Sequence, residues 1–333
     1  MNEKDVLIRL GMVGSGRIAG RTVAELALVE GIEPYAVYNP HAGSAERFAA
    51  AYDIPHAYED WDAFLASVDA VYIAAPHAAH AEYVRRALLA GKHVLCEKPL
   101  CLRKDEAVAL FSLAEKHHLA LMEGIKTVWA PGYRRVLALL QAGTIGELRD
   151  VEACFTRLTP DGLRELTDPA GGSLTEFGSY TLLPILGLLG MQYRSIHFDA
   201  MLDADGLDVY TKVSFRYPDA MALSKTGLKV KSDGQLLVSG TGGYIRVAPP
   251  WWKTERIELC FEDSAKNRVE TVPFEGYGLR YEWRAFVQNV REAREGRAGV
   301  DPAMRELSIG MADVMEQFLA WRRAQRASSS IHA

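Results

Sequence analysis

The sequence has 333 residues, which is more than a single hydrophobic core usually holds, so we expect two domains. The formal net charge is −5, and charges of both signs are mixed along the chain. No basic block is interleaved with aromatic residues and no apolar run is long enough to cross a bilayer, so we predict neither a nucleic-acid nor a membrane partner. The N-terminus lacks the apolar core of a signal peptide, and we therefore predict a cytoplasmic protein.

The first third of the sequence alternates apolar strand segments with helical segments. Strands are predicted at residues 6–13, 33–39, 69–75, 93–96 and 119–125. Asp60 is a predicted N-cap, and Gly91 is predicted to end a helix at the C′ position. This alternation predicts a doubly wound parallel sheet, and we assign residues 1–125 to a Rossmann domain.

Longer, alternating strands follow residue 126. They are predicted at 146–157, 193–202, 208–217, 221–230, 234–241 and 256–262, with helices at about 173–189, 279–295 and 302–326. Residues 126–326 are therefore predicted to form an α/β domain with a large, open, mostly antiparallel sheet, and residues 327–333 a flexible tail. The segment "VAPPWWKTE" (247–255) is interpreted as a sheet edge or subunit contact.

A glycine-rich turn, "GMVGSGRIAG", follows the first strand. Gly14, Gly16 and Ala19 fit the G-x-G-x-x-G/A pattern, in which glycines permit a tight turn and close approach of a diphosphate to a helix N-terminus. Because the pattern lies at the first strand–helix turn of an alternating fold, it predicts a dinucleotide site. The residues of the turn that we assign to the cofactor are Gly14, Ser15, Gly16, Arg17 and Ile18.

Asn39 stands at the end of the second strand, where NAD enzymes usually carry an acid that binds the adenosine ribose. Without that carboxylate a 2′-phosphate is not repelled, and Arg17 and Arg21 could reach it. We predict NAD(P) as the cofactor, with a lean towards NADP. Solvated helix positions remain the alternative for both arginines.

The segment "KHVLCEKPL" (92–100) joins a buried strand to an acid and a base. Charged groups at the end of a buried strand cost folding free energy unless they are paired with an opposite charge or take part in binding or catalysis. In an open parallel sheet, ligands bind outside the carboxyl ends of the strands. Glu97 and Lys98 are therefore predicted to lie beside a bound nicotinamide, and the four scattered cysteines predict no metal site.

The chain resembles the Gfo/Idh/MocA family, which includes glucose-fructose oxidoreductase and inositol dehydrogenase. The resemblance rests on "GMVGSGRIA", "AAPHAAHAEYVRRALLAGKHVLCEKPL", "GTIGEL" and "GGSLTEFGSYTLLPILGLLG". It implies a second domain whose sheet packs against another subunit, giving a homodimer or homotetramer. It also implies that Lys98 is the active-site lysine and that further cofactor contacts come from Ala75, Pro76, His77, His80 and Glu97, although the family often has Asn in place of His77.

The segment "GGSLTEFGSY" (171–180) has two interpretations. Ser173 followed by Glu176 fits a capping box at a helix start, which would make Glu176 structural. Gly178 inside the helix suggests close approach by a bulky group such as a nicotinamide ring or another backbone. The family usually has Asp in place of Glu176 and His in place of Tyr180. The Tyr variant resembles the branch with dihydrodiol dehydrogenases, which implies that Glu176 and Tyr180 belong to the active site.

This resemblance implies a catalytic set of Lys98, Tyr180 and Glu176. A lysine ammonium beside a phenol favours its ionised form, so Tyr180 could exchange a proton with a substrate hydroxyl while Lys98 polarises the oxygen. If the strand continues, Lys126 shares a face with Val128, and Trp129 could stack on a sugar ring; a solvated lysine and a packing tryptophan are the alternatives. Arg157 and Arg164 could bind hydroxyls or a carboxylate, with ordinary surface charges as the alternative. The predicted substrate-binding residues are thus Lys98, Lys126, Trp129, Arg157, Glu176 and Tyr180.

We predict an NAD(P)-dependent oxidoreductase acting on a sugar, polyol or related cyclic alcohol or ketone. Two alternatives remain open. One is a glycoside hydrolase that uses tightly held NAD, although such relatives usually keep the His that Tyr180 replaces here. The other is a non-catalytic NAD(P)-binding sensor, which would not need to retain Lys98 and Tyr180.

Overall fold

The computed structural model describes residues 7–331 and divides them into two compact units. The first unit contains residues up to Lys126 together with residues 275–312, and the second contains residues 127–274 and 313 onwards. This division begins at the predicted boundary, but residues 275–312, which the sequence placed in the second domain, pack with the first unit. We describe each unit separately.

The first unit is built on a six-stranded sheet in which every strand pair is parallel. Its strands are β1 Ile8–Val13, β2 Ile32–Tyr38, β3 His56–Tyr58, β4 Ala70–Ile73, β5 His93–Glu97 and β6 Leu121–Gly124. Its helices are α1 Arg17–Leu26, α2 Ser44–Ala51, α3 Trp61–Ser67, α4 His80–Leu89, α5 Lys104–Lys116 and α9 Leu279–Arg294.

The strand order is β3-β2-β1-β4-β5-β6, so the order reverses between β1 and β4. Such a reversal opens a crevice at the carboxyl ends of the two strands, where nucleotides bind in folds of this kind. Val71 and Ile73 of β4 and Val94 of β5 are fully buried because helices cover both faces of the sheet. The predicted doubly wound parallel sheet is confirmed.

Local signals in the first unit agree with the structure, with two exceptions. Asp60 caps α3 by accepting a hydrogen bond of 2.7 Å from the backbone N–H of Ala63, and Gly91 has the positive φ of +73° expected at a C′ position. The short strand β3 was not located from the sequence. The strand predicted at 119–125 spans Leu121–Gly124, and the first predicted strand began at Val6, which lies outside the described residues.

The second unit is built on an eight-stranded sheet ordered β14-β13-β12-β11-β7-β10-β9-β8. All pairs are antiparallel except β7 with β10, so the predicted mostly antiparallel sheet is confirmed. The strands are β7 Leu148–Thr156, β8 Ser195–Leu202, β9 Asp208–Arg216, β10 Met221–Gly227, β11 Leu236–Gly240, β12 Tyr244–Val247, β13 Arg256–Cys260 and β14 Arg268–Thr271. The helices are α7 Pro131–Gln141 and α8 Ser173–Leu189.

Helix α8 covers one face of this sheet by packing on β7, β9 and β10. Alternate residues such as Val151, Val213 and Ala222 are buried on one face, while Leu223 and Lys225 of β10 lie on the open face, half-buried. The helix α7 and the strands β12 and β14 were missed in the sequence. Pro131 at the first position of α7 was the available signal for that helix.

Two short helical elements correct earlier interpretations. Residues 126–129 form helix α6, Lys126–Trp129, so Lys126 and Val128 do not share a face, because residues two apart on a helix point in different directions. The segment 247–255 is not a sheet edge, because it connects β12 to β13, which are both interior strands of the sheet; a contact with another subunit stays a prediction. Trp251 is fully buried in the second unit and donates a hydrogen bond of 3.1 Å to the carbonyl of Cys154.

The last helix, α10, spans Pro302–Ile331 and contributes residues to both units. The predicted tail, residues 327–333, therefore begins with helical residues, and its last two residues lie outside the described part of the chain. Among residues 7–331, no helix is long and apolar enough to span a membrane.

Candidate functional site

The glycine turn lies at the carboxyl end of β1, beside the loop that follows β4. Gly14 has a φ of +97°, and a Cβ at this position would lie 2.5 Å from the carbonyl oxygen of Ala74. Glycine is therefore required on both conformational and steric grounds. Gly16 differs, because its φ is −85° and no atom lies within 4 Å of the position that a Cβ would take. The backbone at Gly16 is thus open to a ligand.

The N-terminus of α1 follows this open backbone. Gly16 is the N-cap, no side chain caps the helix, and its first turn holds no acidic residue. The N–H groups of the first turn and the positive end of the helix dipole are consequently available to an anion. These features fit the diphosphate of a dinucleotide, held by the backbone from Gly14 to Arg17.

A cavity of about 470 Å³ lies next to this turn, within the first unit. The residues that line it are Ser15, Gly16, Arg17, Ser44, Arg47, Phe48, Ala51 and Tyr52. Asn39 is oriented towards it, since its amide donates a hydrogen bond of 2.9 Å to the hydroxyl of Ser15. Arg47, which we had not singled out in the sequence, donates to the hydroxyl of Ser44 at 3.0 Å. This cavity therefore combines two guanidinium groups with two serine hydroxyls.

Arg21 does not line this cavity. Its guanidinium lies 4.8 Å from the centre of the Tyr277 ring, in a cation–π contact. In this structure the guanidinium of Arg21 thus lies against Tyr277, and Arg17 and Arg47 are the two arginines that line the cavity.

The loop after β4 carries the four predicted cofactor contacts Ala75, Pro76, His77 and His80. Pro76 is exposed and Ala75 partly exposed, whereas His77 and His80 are buried. The two ring nitrogens of His80 lie 2.7 Å from the carbonyl oxygen of Pro99 and 2.8 Å from that of Ala75. His80 therefore joins the loop after β4 to the segment that carries Lys98.

Glu97 ends β5 as a buried carboxylate, and Lys98 follows it in a partly exposed position. The hydroxyl of Tyr72, on β4, donates a hydrogen bond of 2.7 Å to Glu97 Oε1. Burial raises the pKa of Glu97, while the ammonium of Lys98 and the bond from Tyr72 lower it in part. The acid and base that end this strand are thus accompanied by a buried hydrogen-bond donor.

Two further buried carboxyl groups belong to this end of the first unit. Glu123, on β6, accepts a hydrogen bond of 3.0 Å from the backbone N–H of Leu100, and burial raises its pKa. Glu282, on α9, is 1% exposed, and burial together with the nearby charge of Glu97 raises its pKa well above the usual value. Neither was recognised from the sequence, because both lie inside otherwise regular elements.

Lys126 donates a hydrogen bond of 2.5 Å to the carbonyl of Tyr277. The same loop is held by Glu25 of α1, which accepts hydrogen bonds from the backbone of Tyr277 and from both backbone and side chain of Arg280. The structure thus places Lys126 at a loop of the first unit, where its ammonium holds the backbone.

In the second unit, the capping-box interpretation of Ser173 and Glu176 is wrong. The N-cap of α8 is Gly172, with a φ of +114°, and Ser173 is the first helical residue. The helix start is capped instead by Asp208 of β9, whose Oδ2 accepts hydrogen bonds of 2.9 Å from the N–H of Leu174 and from the hydroxyl of Ser173. Glu176 is therefore not needed as a cap.

Glu176 is 6% exposed and pairs with Arg164, whose Nη2 lies 3.0 Å from Glu176 Oε1. Arg157 pairs in the same way with Glu165, at 2.8 Å, and its guanidinium lies 5.4 Å from the centre of the Phe177 ring. Glu176 and Arg157, both predicted to bind the substrate, thus take part in ion pairs. The pair of Arg157 with Glu165 lies within residues 157–172, and the pair of Arg164 with Glu176 joins these residues to α8.

Tyr180 lies one turn after Glu176 on α8 and is partly exposed. Its ring centre is 5.1 Å from that of Phe155, which stacks between Phe177 at 4.3 Å and Trp252 at 3.6 Å with nearly parallel planes. These four aromatic rings form an apolar wall that the sequence did not reveal, because its members come from three separate segments.

Two more predictions have direct structural outcomes in the second unit. A Cβ on Gly178 would lie 3.4 Å from the Met315 side chain of α10, so the close neighbours of this glycine are Met315 and Leu174 side chains, not a backbone. The ring of Trp129 carries the guanidinium of Arg134, 5.3 Å from its centre. Within residues 7–331, no group of three or more His, Cys, Asp or Glu side chains is arranged to hold a metal ion.

Comparisons with known proteins agree with this geometry. Residues 8–125 match the oxidoreductase family with an NAD-binding Rossmann fold known as Gfo/Idh/MocA, and residues 133–246 match the Gfo/Idh/MocA C-terminal domain. These matches confirm the resemblance predicted from the sequence motifs.

Individual relatives cover nearly the whole chain. The dTDP-3,4-didehydro-2,6-dideoxy-α-D-glucose 3-reductase of Streptomyces antibioticus is 38% identical over 96% of this chain and 98% of its own. The NADP-dependent scyllo-inositol 2-dehydrogenase of Bacillus subtilis is 28% identical over 93% and 96%, respectively. A 3-ketoreductase from Actinomadura kijaniata, solved with NADP and TDP-benzene, matches with a TM-score of 0.80 at 27% identity and covers 93% of this chain and 96% of that one.

Proposed function

The chain belongs to the Gfo/Idh/MocA family of NAD(P)-dependent oxidoreductases, and from that premise we propose that it uses NADP(H) to interconvert a hydroxyl and a keto group on a neutral cyclic sugar or polyol. The observation that carries the proposal is the glycine turn that joins β1 to α1 and lies beside the loop after β4. Its backbone is open at Gly16, and no side chain caps the start of α1. The nicotinamide, when bound, supplies or accepts the hydride.

The preference for NADP(H) is supported by the cavity beside the glycine turn. A 2′-phosphate carries up to two negative charges, and guanidinium groups bind phosphate oxygens in a bidentate manner. Arg17 and Arg47 line the cavity together with Ser15 and Ser44, and Asn39 supplies an amide where a carboxylate would repel the phosphate. The relatives from Bacillus subtilis and Actinomadura kijaniata are named with NADP, which agrees with this assignment.

The catalytic roles are assigned to Lys98 and Tyr180. Tyr180 is proposed to take the proton of the substrate hydroxyl during oxidation and to return it during reduction. The ammonium of Lys98 is proposed to stabilise the negative charge that develops on the same oxygen. Glu176 is proposed to act through its ion pair with Arg164, which fixes residues 157–172 against α8.

The neutral character of the substrate is supported by the charges of residues 157–172 and their neighbours. Three basic side chains there each lie beside a carboxylate: Arg157 beside Glu165 at 2.8 Å, Arg164 beside Glu176 at 3.0 Å and Asp168 at 4.0 Å, and Lys229 beside Asp161 at 2.5 Å. A diphosphate or carboxylate would have to break these pairs to be bound. The aromatic wall next to Tyr180 instead suits the C–H groups of a sugar or polyol ring.

A second candidate is a reductase of a dTDP-linked keto sugar. It is favoured by the 38% identity with the Streptomyces antibioticus enzyme, which extends over almost the full length of both chains. The two candidates share the cofactor and the chemistry of the carbonyl group. They differ in whether the protein must accommodate a nucleoside diphosphate.

NADPH consumption, followed at 340 nm, separates these possibilities. The purified protein is tested with neutral inososes, ketoses and cyclic diketones, and in parallel with dTDP-linked keto sugars; Lys98→Ala is the matched inactive control. We expect kcat/KM to be at least about tenfold higher for a neutral substrate, the difference that 1.4 kcal/mol of binding makes. A preference for the nucleotide sugar would contradict the neutral-substrate proposal. Turnover of a glycoside without net NADPH consumption would favour a hydrolase, and no turnover at all would favour a sensor.

We also propose that the protein forms a homodimer or homotetramer through the open face of the sheet in the second unit. Met221 and Tyr244 are 51% and 42% exposed there, and Leu223 and Leu237 lie half-buried on the same face. These apolar side chains lie among charged ones such as Glu152 and Lys225, and apolar side chains exposed together on a sheet face often mark a contact with another chain.

A further inference from the structure

A chain of buried hydrogen bonds in the first unit connects helix α1 with the end of β5. The hydroxyl of Thr22 donates to the hydroxyl of Tyr72 at 3.1 Å, and the hydroxyl of Tyr72 donates to Glu97 Oε1 at 2.7 Å. Thr22 and Tyr72 are fully buried, and Glu97 is 9% exposed. The helix that begins at the glycine turn is thereby linked to the residue that precedes Lys98.

Strand register explains why these groups meet. Tyr72 of β4 pairs with Leu95 of β5, and Glu97 lies two residues beyond Leu95, so the side chains of Tyr72 and Glu97 emerge on the same face of the sheet. Trp283 of α9 packs edge-on against Tyr72, with 5.3 Å between ring centres. The phenol is therefore fixed in one orientation, with its hydroxyl directed at Glu97.

The groups around Glu97 determine which buried carboxyl carries the negative charge. Glu97 has three stabilising neighbours: the Tyr72 hydroxyl, the backbone N–H of Lys98 and the ammonium of Lys98, with Lys126 also contributing. The charge of Glu97 in turn raises the pKa of Glu123, on β6, and of Glu282, on α9, to which burial contributes most.

Glu282 has different surroundings from Glu97. Its Oε2 is buried and has no hydrogen-bond partner among the described residues, and its pKa is raised well above the usual value by burial and by Glu97. Burying a second carboxylate without a donor would cost several kcal/mol. The hydrogen-bond donors of this group therefore converge on Glu97 and not on Glu282.

We propose that Tyr72 is a positioning residue that keeps the Glu97 carboxylate ionised and oriented beside Lys98, so that the active-site lysine retains its counter-charge at neutral pH. This inference rests on the proposed function, since it concerns the role of Lys98 in turnover. It adds a residue that the sequence shows only as part of an apolar strand, "DAVYIAA".

Tyr72→Phe removes the donor and keeps the ring. Loss of a hydrogen bond to an ionised group raises the pKa of Glu97 further, so Glu97 takes up a proton at a higher pH. We expect the acidic limb of the kcat–pH profile to move up by about one pH unit, with kcat about tenfold lower below that limb and nearly normal above it. The Kd for NADPH should change by less than about twofold, which corresponds to about 0.4 kcal/mol of binding free energy, because the substitution leaves the diphosphate site intact. Tyr133→Phe, which removes a buried hydroxyl from the second unit, is the matched control and should leave the profile unchanged.

A second measurement does not depend on activity. Infrared difference titration of the cofactor-free protein follows the carboxyl of Glu97, identified by its disappearance in Glu97→Gln. The protonated form should appear at higher pH in Tyr72→Phe than in the unmutated protein. If the unmutated protein turned over no substrate, the proposed function would fail while this titration still tested Tyr72.

The proposal is overturned if Tyr72→Phe leaves both the titration of Glu97 and the kcat–pH profile where they were, or if kcat falls equally at every pH. Should Tyr72→Phe not fold, Thr22→Val replaces it, because it removes the bond to the Tyr72 hydroxyl at constant shape. We then expect a smaller shift in the same direction, restored by Thr22→Ser. An unshifted titration in Thr22→Val would equally refute the proposal.

Discussion

Asp208 and Arg322 form a buried ion pair at the start of helix α8. Arg322 Nη1 lies 2.8 Å from Asp208 Oδ1, and the two side chains are 8% and 0% exposed. Asp208 also caps α8 through Leu174 and Ser173, and Arg322 donates to the carbonyl oxygen of Gly171 at 2.8 Å. The helix that carries Glu176 and Tyr180 is therefore anchored by residues 34 and 151 positions away in the sequence.

Replacing Arg322 with Met should lower the free energy of unfolding by about 3 kcal/mol, because it leaves the buried charge of Asp208 without its partner. Urea unfolding followed by circular dichroism measures this change. Arg85→Met is the control, since Arg85 and Glu82 are 52% and 57% exposed and such surface pairs contribute less than about 1 kcal/mol. Equal losses in the two variants would show that the buried pair does not anchor α8.

Local patterns in the sequence were sufficient for much of the first unit. The glycine turn, the cap at Asp60 and the βα alternation each depend on residues within one turn or strand, and all agree with the structure. The capping of α8 by Asp208 was not predictable in this way, because it requires the pairing of the second sheet. Ser173 and Glu176 therefore resembled a capping box that the structure does not contain.

The residues of the candidate site that the sequence did not reveal are brought together by contacts between separate segments of the chain. Tyr72 reads as one more apolar residue until the register of β4 and β5 places it beside Glu97. Arg47 lies on helix α2, eight positions after Asn39, whereas the sequence pattern for NADP concerns the residues directly after β2, so it did not indicate Arg47. Phe155 and Trp252 stack although 97 positions separate them, and no local pattern connects them.

Gly16→Ala should weaken dinucleotide binding without lowering the free energy of unfolding. The backbone at Gly16 has a φ that alanine adopts freely, and a Cβ would meet no protein atom within 4 Å, so the unfolding free energy should not fall. The Cβ would instead occupy space that the diphosphate needs. We expect the Kd for NADPH, measured by fluorescence titration, to rise at least about tenfold, which corresponds to 1.4 kcal/mol. Gly187→Ala, in open space on α8, is the control and should bind NADPH normally; tight binding by Gly16→Ala would place the diphosphate elsewhere.

Arg47→Ala should weaken the binding of NADPH by about tenfold or more and leave the binding of NADH unchanged, because only NADPH has a 2′-phosphate to lose a charge-assisted hydrogen bond. Asn39→Asp should act in the same direction through repulsion of the phosphate. Isothermal titration with both cofactors measures the ratio, and Arg85→Ala is the control on a distant helix. A strong preference of the unmutated protein for NADH would show that the NADP assignment is wrong.

Leu223→Lys should dissociate the proposed oligomer. Leu223 lies on the open face of β10, opposite Glu152 of β7, so a lysine there is tolerated in the folded chain but places a charge within the proposed contact. Light scattering at micromolar concentration should report a dimer or larger for the unmutated protein and a monomer for the variant. Leu89→Lys, at an exposed position of the first unit, should leave the assembly intact. An unmutated protein that is already a monomer would contradict the proposal.

Lys98 and Tyr180 are proposed to act on the same proton transfer, and a double-mutant comparison tests this. Lys98→Ala should leave NADPH binding nearly intact, because the diphosphate is assigned to the turn from Gly14 to Arg17. Turnover should fall by about 10²–10⁴-fold, the usual contribution of general acid–base catalysis.

Tyr180→Phe should lower kcat to a similar extent, and the double variant should be little worse than either single variant, since residues that act as a unit are not additive. Tyr217→Phe, which removes a hydroxyl bonded to the carbonyl of Gly190 on the same unit, is the control and should retain normal kcat. Near-normal turnover in Tyr180→Phe would reduce Tyr180 to a packing residue beside Phe155, and the proton transfer would then fall to Lys98 or to a water molecule that it binds.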